Sequence, residues 1–250
     1  MQTLKAITAA ISFCFVLSIP LFAQKQDTAK ESQKNTIVKI NLSALVFKNI
    51  SVQYERKIAR NISIAANVRY IPFGKLPFLS SIEKAVDDPS VPVKKAKLGA
   101  FGVTPEIRFY VGKKGAMRGF YVAPFGNYTR YKTNLPIDYS GKTGIFNGNI
   151  STITGGLLFG AQFKLGKSVY LDWWILGPNY GGAKGDLILT TPLSASEQAE
   201  LADQIEELKA DAPFNKIIDS YTVGSTGALI KARGPWAGLR GLGFNLGIRF

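Results

Sequence analysis

The sequence predicts an all-β protein, an eight-stranded antiparallel up-and-down transmembrane β-barrel with a short helix in its last outer loop. Three observations predict it. An export signal at the N-terminus is followed by no apolar run long enough for a spanning helix. β-like segments alternate polar and apolar residues with period two. The connections between segments alternate between short and long. A chain that spans a membrane without helices must close its strands on themselves, because every backbone polar group needs a partner in lipid.

Residues 1–23 read as a secretory signal peptide. Lys5 is its only charge, Ala6 to Leu21 is apolar apart from Thr8, Ser12, Ser18 and Pro20, and Ala23 offers a small residue before Gln24. Cys14 follows Phe13, where a lipoprotein signal would place a small residue. Residues 24–36 are polar and mixed in charge, a flexible periplasmic leader, and 37–250 is the barrel. Cleavage removes the only cysteine, and the chain has no histidine. Disulfides and thiolate chemistry are thereby excluded, together with the commonest general base and metal ligand. The charge balance is 31 Lys and Arg against 17 Asp and Glu. Export argues against nucleic acid as the anionic partner and for phosphate-rich membrane surfaces.

Eight segments follow the leader: 37–47, 50–58, 62–72, 98–111, 119–131, 148–165, 169–176 and 239–250. The connections after the second, fourth and sixth are short. Those after the third (73–97), fifth (132–147) and seventh (177–234) are longer, and the very short first outer connection, Lys48-Asn49, is the exception. A barrel with both termini in the periplasm has this order of short turns and long outer loops.

Within the segments one face is apolar. Val38, Ile40, Leu42, Ala44 and Val46 oppose Lys39, Asn41 and Ser43. Phe101, Val103, Ile107 and Phe109 oppose Thr104, Glu106 and Arg108. Leu242, Phe244, Leu246, Ile248 and Phe250 oppose Gly241, Gly243, Asn245, Gly247 and Arg249. Volume decides which face is inside. Eight strands leave a lumen just wide enough for side chains, and roughly five large apolar residues per strand would overfill it. The polar, glycine-rich face therefore lines the lumen and the apolar face meets lipid. A soluble lipocalin-like binding barrel is the arrangement with the faces exchanged. Pro105 and Pro124 lack the ladder donor, which predicts local bulges.

The last outer loop carries a helix. Ser194-x-x-Glu197 is a capping-box pattern, Leu201, Ile205, Leu208 and Ala212 follow at helical spacing, and Ala212-Pro213 ends it. Its other face is acidic, with Glu200, Asp203, Glu206, Glu207 and Asp211. Two arrangements fit: a solvated acidic surface, or a lid whose apolar stripe packs on the barrel mouth. A shorter helix is predicted at Ser81–Val86.

The terminal run Gly241-Leu242-Gly243-Phe244-Asn245-Leu246-Gly247-Ile248-Arg249-Phe250 is similar to the last strand of Gram-negative outer-membrane barrels. Three further stretches, 104–110, 171–181 and 234–240, resemble an uncharacterised family of small outer-membrane barrels with OmpA/OmpX-like architecture. The resemblance covers nearly all of the chain after the signal. It implies the fold, the outer membrane of a Gram-negative bacterium as location, and Phe244, Leu246, Ile248 and Phe250 as the insertion signal read by the barrel-assembly machinery. It implies no reaction.

The inward series carries both signs of charge: Lys39, Glu55, Arg69, Glu106, Arg108, Asp172 and Arg249. Carboxylates in a cluster can do acid–base work, but a narrow lumen must neutralise every ion, and charge pairing is the simpler account. The expectation is a lumen charge network in which Glu106 pairs with lumen arginines. Trp174 has inward parity and is the one candidate for ligand contact. The even glycines of the last strand are a packing pattern rather than a phosphate cradle. The sequence therefore points to no catalytic residue, no cofactor and no metal. It predicts a monomeric, non-enzymatic barrel surrounded by outer-membrane lipids including lipopolysaccharide, with a filled lumen and a structural or interaction role through its outer loops. A narrow channel or carrier for a small solute or lipid is the second reading.

Overall fold

The computed structural model describes residues 35–75, 77, 95–139, 142–211 and 214–250. The predicted signal peptide, the leader up to residue 34 and the predicted helix at Ser81–Val86 lie outside them. The elements are β1 (Thr36–Asn41), the one-turn helix α1 (Leu42–Leu45), β2 (Ile50–Lys57), β3 (Ile62–Lys75), β4 (Lys97–Tyr110), β5 (Gly119–Tyr139), β6 (Lys142–Lys164), β7 (Val169–Leu176), β8 (Pro178–Thr190), α2 (Ala195–Ala210), β9 (Ile218–Gly224), β10 (Gly227–Leu239) and β11 (Gly243–Arg249).

Eight of these strands form a closed antiparallel ring in the order β1-β2-β3-β4-β5-β6-β7-β11, and β11 pairs back onto β1 with Val38 opposite Ile248 and Ile40 opposite Leu246. Each inner strand alternates buried and exposed residues. The exposed set is apolar: Ile50, Val52 and Tyr54 on β2, Phe101, Ile107 and Phe109 on β4, Phe244, Leu246 and Ile248 on β11. The buried set is polar: Lys39, Gln53, Glu55, Asn67, Thr104, Arg108, Asp172 and Asn245. This inverts the layout of a soluble barrel and matches a wall that meets lipid, because alternation in such a barrel runs apolar outside and polar inside. The predicted insertion residues Phe244, Leu246, Ile248 and Phe250 all lie on the exposed face.

The wall is much taller on one side, a feature the strand boundaries read from sequence missed. The first strand stops at Asn41 instead of continuing to Phe47. The Asn41 side chain accepts a hydrogen bond from the Ala44 N–H at 2.8 Å and starts α1, so Leu42, Ala44 and Val46 sit in the rim. On the opposite side β5 and β6 run unbroken through the predicted loop at 132–147, pairing from Gly119–Gln162 up to Tyr139–Lys142. Asn134, Pro136 and Gly144 read as loop residues but are held in the ladder.

The predicted excursion 177–234 is mostly sheet. β6 pairs with β7 over its last six residues and with β8 from Ile145 to Gly156. β8 pairs with β10 from Pro178–Leu239 to Thr190–Gly227, and β9 adds to the far side of β10. β7–β8 and β10–β11 are thus two long strands, each interrupted where the barrel ends and the extension begins. The interruptions face each other: Arg240 N–H donates to Gly177 C=O at 2.8 Å, and Leu242, at φ 53°, donates to Ile175 C=O. A Cβ on Gly177 would stand 2.4 Å from the Arg240 carbonyl oxygen, so no other residue fits there without moving backbone. Each interruption shifts the alternation by one residue.

The expected bulges at Pro105 and Pro124 are absent. Val103–Tyr128 and Glu106–Phe125 keep one register across β4–β5, and Pro124 pairs with Leu157 in unbroken register across β5–β6. Both prolines fall on the β4–β5 seam, so their missing donors leave gaps in one ladder instead of displacing residues. Register shifts occur at Ile71/Gly74, Phe159/Gly160 and Lys231/Ala232.

Helix α2 has both capping-box bonds, Glu197 N–H to Ser194 Oγ at 3.3 Å and Ser194 N–H to Glu197 Oε2 at 2.7 Å. It docks Leu201 and Ile205 on Leu189, Ala228, Ile230, Tyr221 and Val223 of the extension sheet, while Glu200, Asp203, Glu206 and Glu207 are exposed. Leu201 and Ile205 of the predicted stripe therefore cover the extension and not the barrel mouth, while Leu208 is exposed, Ala212 lies outside the described residues, and the acidic face is solvated. Lys142, at the β5–β6 tip, holds Glu197 with two 2.8 Å bonds and is the strap that ties the helix to the sheet. Those bonds, with the Ser194 amide, lower the Glu197 carboxyl from its ordinary 4.5 to about 2. A depressed folded-state value means that its contribution is present above the ordinary value and lost as pH falls toward 2. Helical circular dichroism should therefore fall between about pH 4.5 and 2 in the wild type, and Glu197→Gln should show a weaker helix signal at pH 7 and no such acid step.

Candidate functional site

The lumen is filled from wall to wall by one network. Glu55 on β2, Glu106 and Arg108 on β4, Asp172 on β7 and Lys39 on β1 converge at mid-height, as strand parity predicts. The Arg108 guanidinium is the centre. It donates to Asp172 Oδ2 at 2.7 Å, Glu106 Oε1 at 2.5 Å and Gln53 Oε1 at 2.9 Å, and lies 4.4 Å from the Tyr121 ring centre. Lys39 Nζ binds Glu55, Asp172 Oδ2 at 2.6 Å and Gln162 Oε1 at 2.9 Å. Tyr110 and Tyr121 hydroxyls donate to Glu55 at 2.6 Å and Asp172 at 2.7 Å, and Ser63 completes Glu55 at 2.5 Å. Arg240 reaches down from the end of β10 and closes the second oxygen of Glu106.

Lys39, Arg108 and Arg240 face Glu55, Glu106 and Asp172, so the plug is electrically balanced. Its carboxylates have no exposed side-chain surface. Small residues make the room. A Cβ on Gly160 would stand 2.3 Å from the Tyr121 hydroxyl, and one on Gly247 2.7 Å from the Lys39 stem.

Two predicted members lie elsewhere. Arg249 sits near the C-terminal end of β11, donating to the Tyr170 hydroxyl at 2.8 Å. Arg69 sits above the plug and donates to Thr129 and Tyr131 at 2.7 and 2.8 Å. Six partners were not singled out from sequence: Gln53, Ser63, Gln162, Tyr110, Tyr121 and Arg240. Tyr110 and Gln53 share parity with Arg108 and Glu55 and were legible. Arg240 was not, because counting back by twos from Phe250 puts it on the lipid face, and only the shift at Gly241-Leu242 turns it inward.

Above the plug the lumen opens into a cavity of about 350 Å³ bounded by Arg69, Tyr131, Trp174, Trp236, Asn179 and Arg240 among others. Among the described residues, no carboxylate lines it. Trp174, the predicted ligand contact, does line it. Its indole N–H donates to Asp172 at 3.2 Å and its ring lies 4.1 Å from the Arg240 guanidinium carbon, so it serves as floor and wall. Arg69 Nε and Arg240 Nη2 are buried without a hydrogen-bonding partner among the described residues. Trp173 faces outward and stacks on Phe244 with ring centres 5.9 Å apart. Among the described residues, no group of three or more Asp and Glu side chains is placed to hold a metal ion.

A closed ring of eight antiparallel strands, apolar outside and plugged inside, defines a β-barrel of the outer-membrane type. The chain belongs to the family described as "Protein of unknown function (DUF3575)", whose pattern matches residues 11–183. Among solved structures it is similar to the translocator domain of autotransporter NalP from Neisseria meningitidis, at 12% identity over 86% of this chain and 87% of that one, with a TM-score of 0.37. A score that low carries no argument from that protein to this one. None of the curated proteins matches the chain.

Truncating one partner of a buried pair strands the other charge, at a cost of roughly 3–5 kcal/mol. Glu106 holds two arginines at once. Glu106→Gln should lower the unfolding free energy read from a urea titration by an amount in that range, and with it the midpoint, with the heat-modifiability shift retained but lost at a lower temperature. An unchanged midpoint would show that the plug does not stabilise the barrel.

Proposed function

We propose that the protein is a non-conducting, non-enzymatic barrel of the Gram-negative outer membrane that acts through the sheet and helix it raises above the membrane. The observation that carries this reading is the combination of a lumen closed at mid-height by balanced charge pairs and a wall built up on one side into β6, β8, β10, β9 and α2. Investment of structure in the outer part of a rigid barrel is typical of proteins that work by contact, since loops on a scaffold commonly carry function. The plug's carboxylates are saturated by cations and hydroxyls, which leaves no free acid or base for chemistry. The start of β1 and the end of β11 lie at the end opposite the extension, so insertion by the barrel-assembly machinery through β11 would leave the extension outside the cell. A monomer suffices, because the ring is closed and leaves no barrel strand unpaired.

Two measurements on cells and on purified protein test this. The full chain in planar bilayers should give no conductance steps, and external trypsin on intact cells should cut at Lys209 in the last turn of α2 or at Lys216 before β9, without releasing the barrel. Regular conductance steps, or protection of that segment on intact cells, would overturn the reading.

A second reading, binding of a small anion at the mouth, is favoured by the two buried unpartnered guanidinium N–H groups beside Trp174 and Trp236. Arg69 has no carboxylate partner among the described residues and stands outside the plug. Titration with glucuronate should then change tryptophan emission saturably, and Arg69→Gln should weaken it about tenfold by removing a charge-assisted bond. No saturable change would remove this reading.

A further inference from the structure

The outer surface of the tall wall changes character within one step of the strand alternation. One cross-strand row on that surface is Tyr128–Ile153–Gly182–Pro235, running over β5, β6, β8 and β10 in register. Tyr128 and Ile153 are exposed, Ile153 to 68%. This row continues the apolar band of Leu157, Phe159, Tyr180 and Leu239 below it. The next row outward is Arg130–Ser151–Lys184–Arg233, again in register on the same four strands. Its three cations are exposed. No ion pair among the described residues neutralises them.

Lys184 and Arg233 are directly opposed across the β8–β10 ladder. Like charges so placed repel and destabilise a sheet unless an anion sits between them. Neighbouring strands are about 4.8 Å apart, so a phosphate bridging Lys184 and Arg233 lies roughly 12 Å along the sheet from the Arg130 backbone, a gap that the long Arg130 side chain narrows to the width of a sugar headgroup. The row above adds Lys132 and Lys231 against Asp186, and Asp219 on β9 is the second acid at the patch, so the cations Arg130, Lys132, Lys184, Lys231 and Arg233 outnumber the acids. A shallow cavity of about 450 Å³ lies over this patch, bounded by Arg130, Asn149, Ser151, Lys184, Asp186 and Arg233 among others.

We propose that this row is a binding site for the phosphorylated sugar headgroup of a glycolipid in the outer leaflet, with the acyl chains lying along Tyr128, Ile153 and the apolar band below. The occupant follows from position. The cations stand where the lipid-facing band ends, on the outside of the wall, so the anion that reaches them is tethered to chains in that band. The proposal rests on the outer-membrane location given above.

The test uses the full chain refolded in zwitterionic micelles, with added lipopolysaccharide as the probe and the thermal midpoint as readout. The wild type should gain a saturable rise in midpoint. The triple variant Arg130→Gln, Lys184→Gln, Arg233→Gln should bind roughly a hundredfold more weakly, since each cation beside an anionic surface contributes about fivefold. Its heat-modifiability should be unchanged, because all three side chains are exposed and outside the plug. Lipopolysaccharide stripped of phosphate should behave toward the wild type as intact lipopolysaccharide does toward the variant. Equal binding by wild type and variant, or by intact and stripped lipid, would overturn the proposal. So would the same midpoint rise with inorganic phosphate alone, which would mark a free-anion site. Loss of selectivity in a protein that still fractionates with the outer membrane removes this site only. Fractionation elsewhere removes the location reading as well.

Discussion

The interior of this barrel is governed by the cost of an uncompensated charge. Arg108 places a guanidinium at the centre of a lumen that admits no room for bulk water, and everything around it answers that charge. One carboxylate comes from β4 itself, one from β2 and a third from β7, and two tyrosine hydroxyls and two glutamines take the remaining lone pairs and protons. The arrangement needs small residues beside its bulky members, which is why Gly160 and Gly247 stand against Tyr121 and Lys39. Removing any single participant leaves its partner exposed to a low-dielectric surrounding, so the members are interdependent. The plug closes the lumen and at the same time fixes the relative heights of β1, β2, β4 and β7.

The network also explains why the part of the fold inside the membrane was legible in the sequence and the part outside it was not. In the membrane two rules act together on every strand: apolar residues outward, and inward residues that are small or can be paired. Glu55, Glu106, Arg108 and Asp172 announce their face because their alternatives are intolerable in lipid. Outside the membrane neither rule holds. The far parts of β8, β9 and β10 have a helix on one side and open surface on the other, and their glycines and scattered lysines, like Pro136 on β5, read as loop. Asn41 ends β1 six residues earlier than alternation suggests because its side chain offers the backbone a helical turn, a local choice that periodicity does not see.

Arg240 shows the limit of counting by twos. Parity carries information along a strand only while the pleat is unbroken. The paired interruptions at Ile175–Gly177 and Gly241–Leu242 reset it, and the residue just beyond becomes the sixth charge of the plug. The signal was present in principle. Gly177 and Gly241 flank a proline and an arginine at the same distance from the barrel end on two strands that must pair, but recognising the pair requires knowing that the strands continue. The reset also lets the sheet pass from a lipid-facing wall to a helix-bearing one without a change of direction, because the face that lined the lumen continues upward to receive Leu201 and Ile205.

The unequal height of the wall has a consequence for the protein among its neighbours. β1, α1 and β2 make a low side, and β5 through β10 make a high one. A barrel with a level rim looks the same from every direction in the plane of the membrane. This one has a front and a back. Whatever approaches across the surface meets open lumen entrance from one quarter and a raised sheet from the other, so two such molecules, or one molecule and a different envelope protein, are not equivalent under rotation about the membrane normal. Contacts formed at this surface therefore fix an azimuth as well as a distance, which a featureless cylinder of the same width could not do.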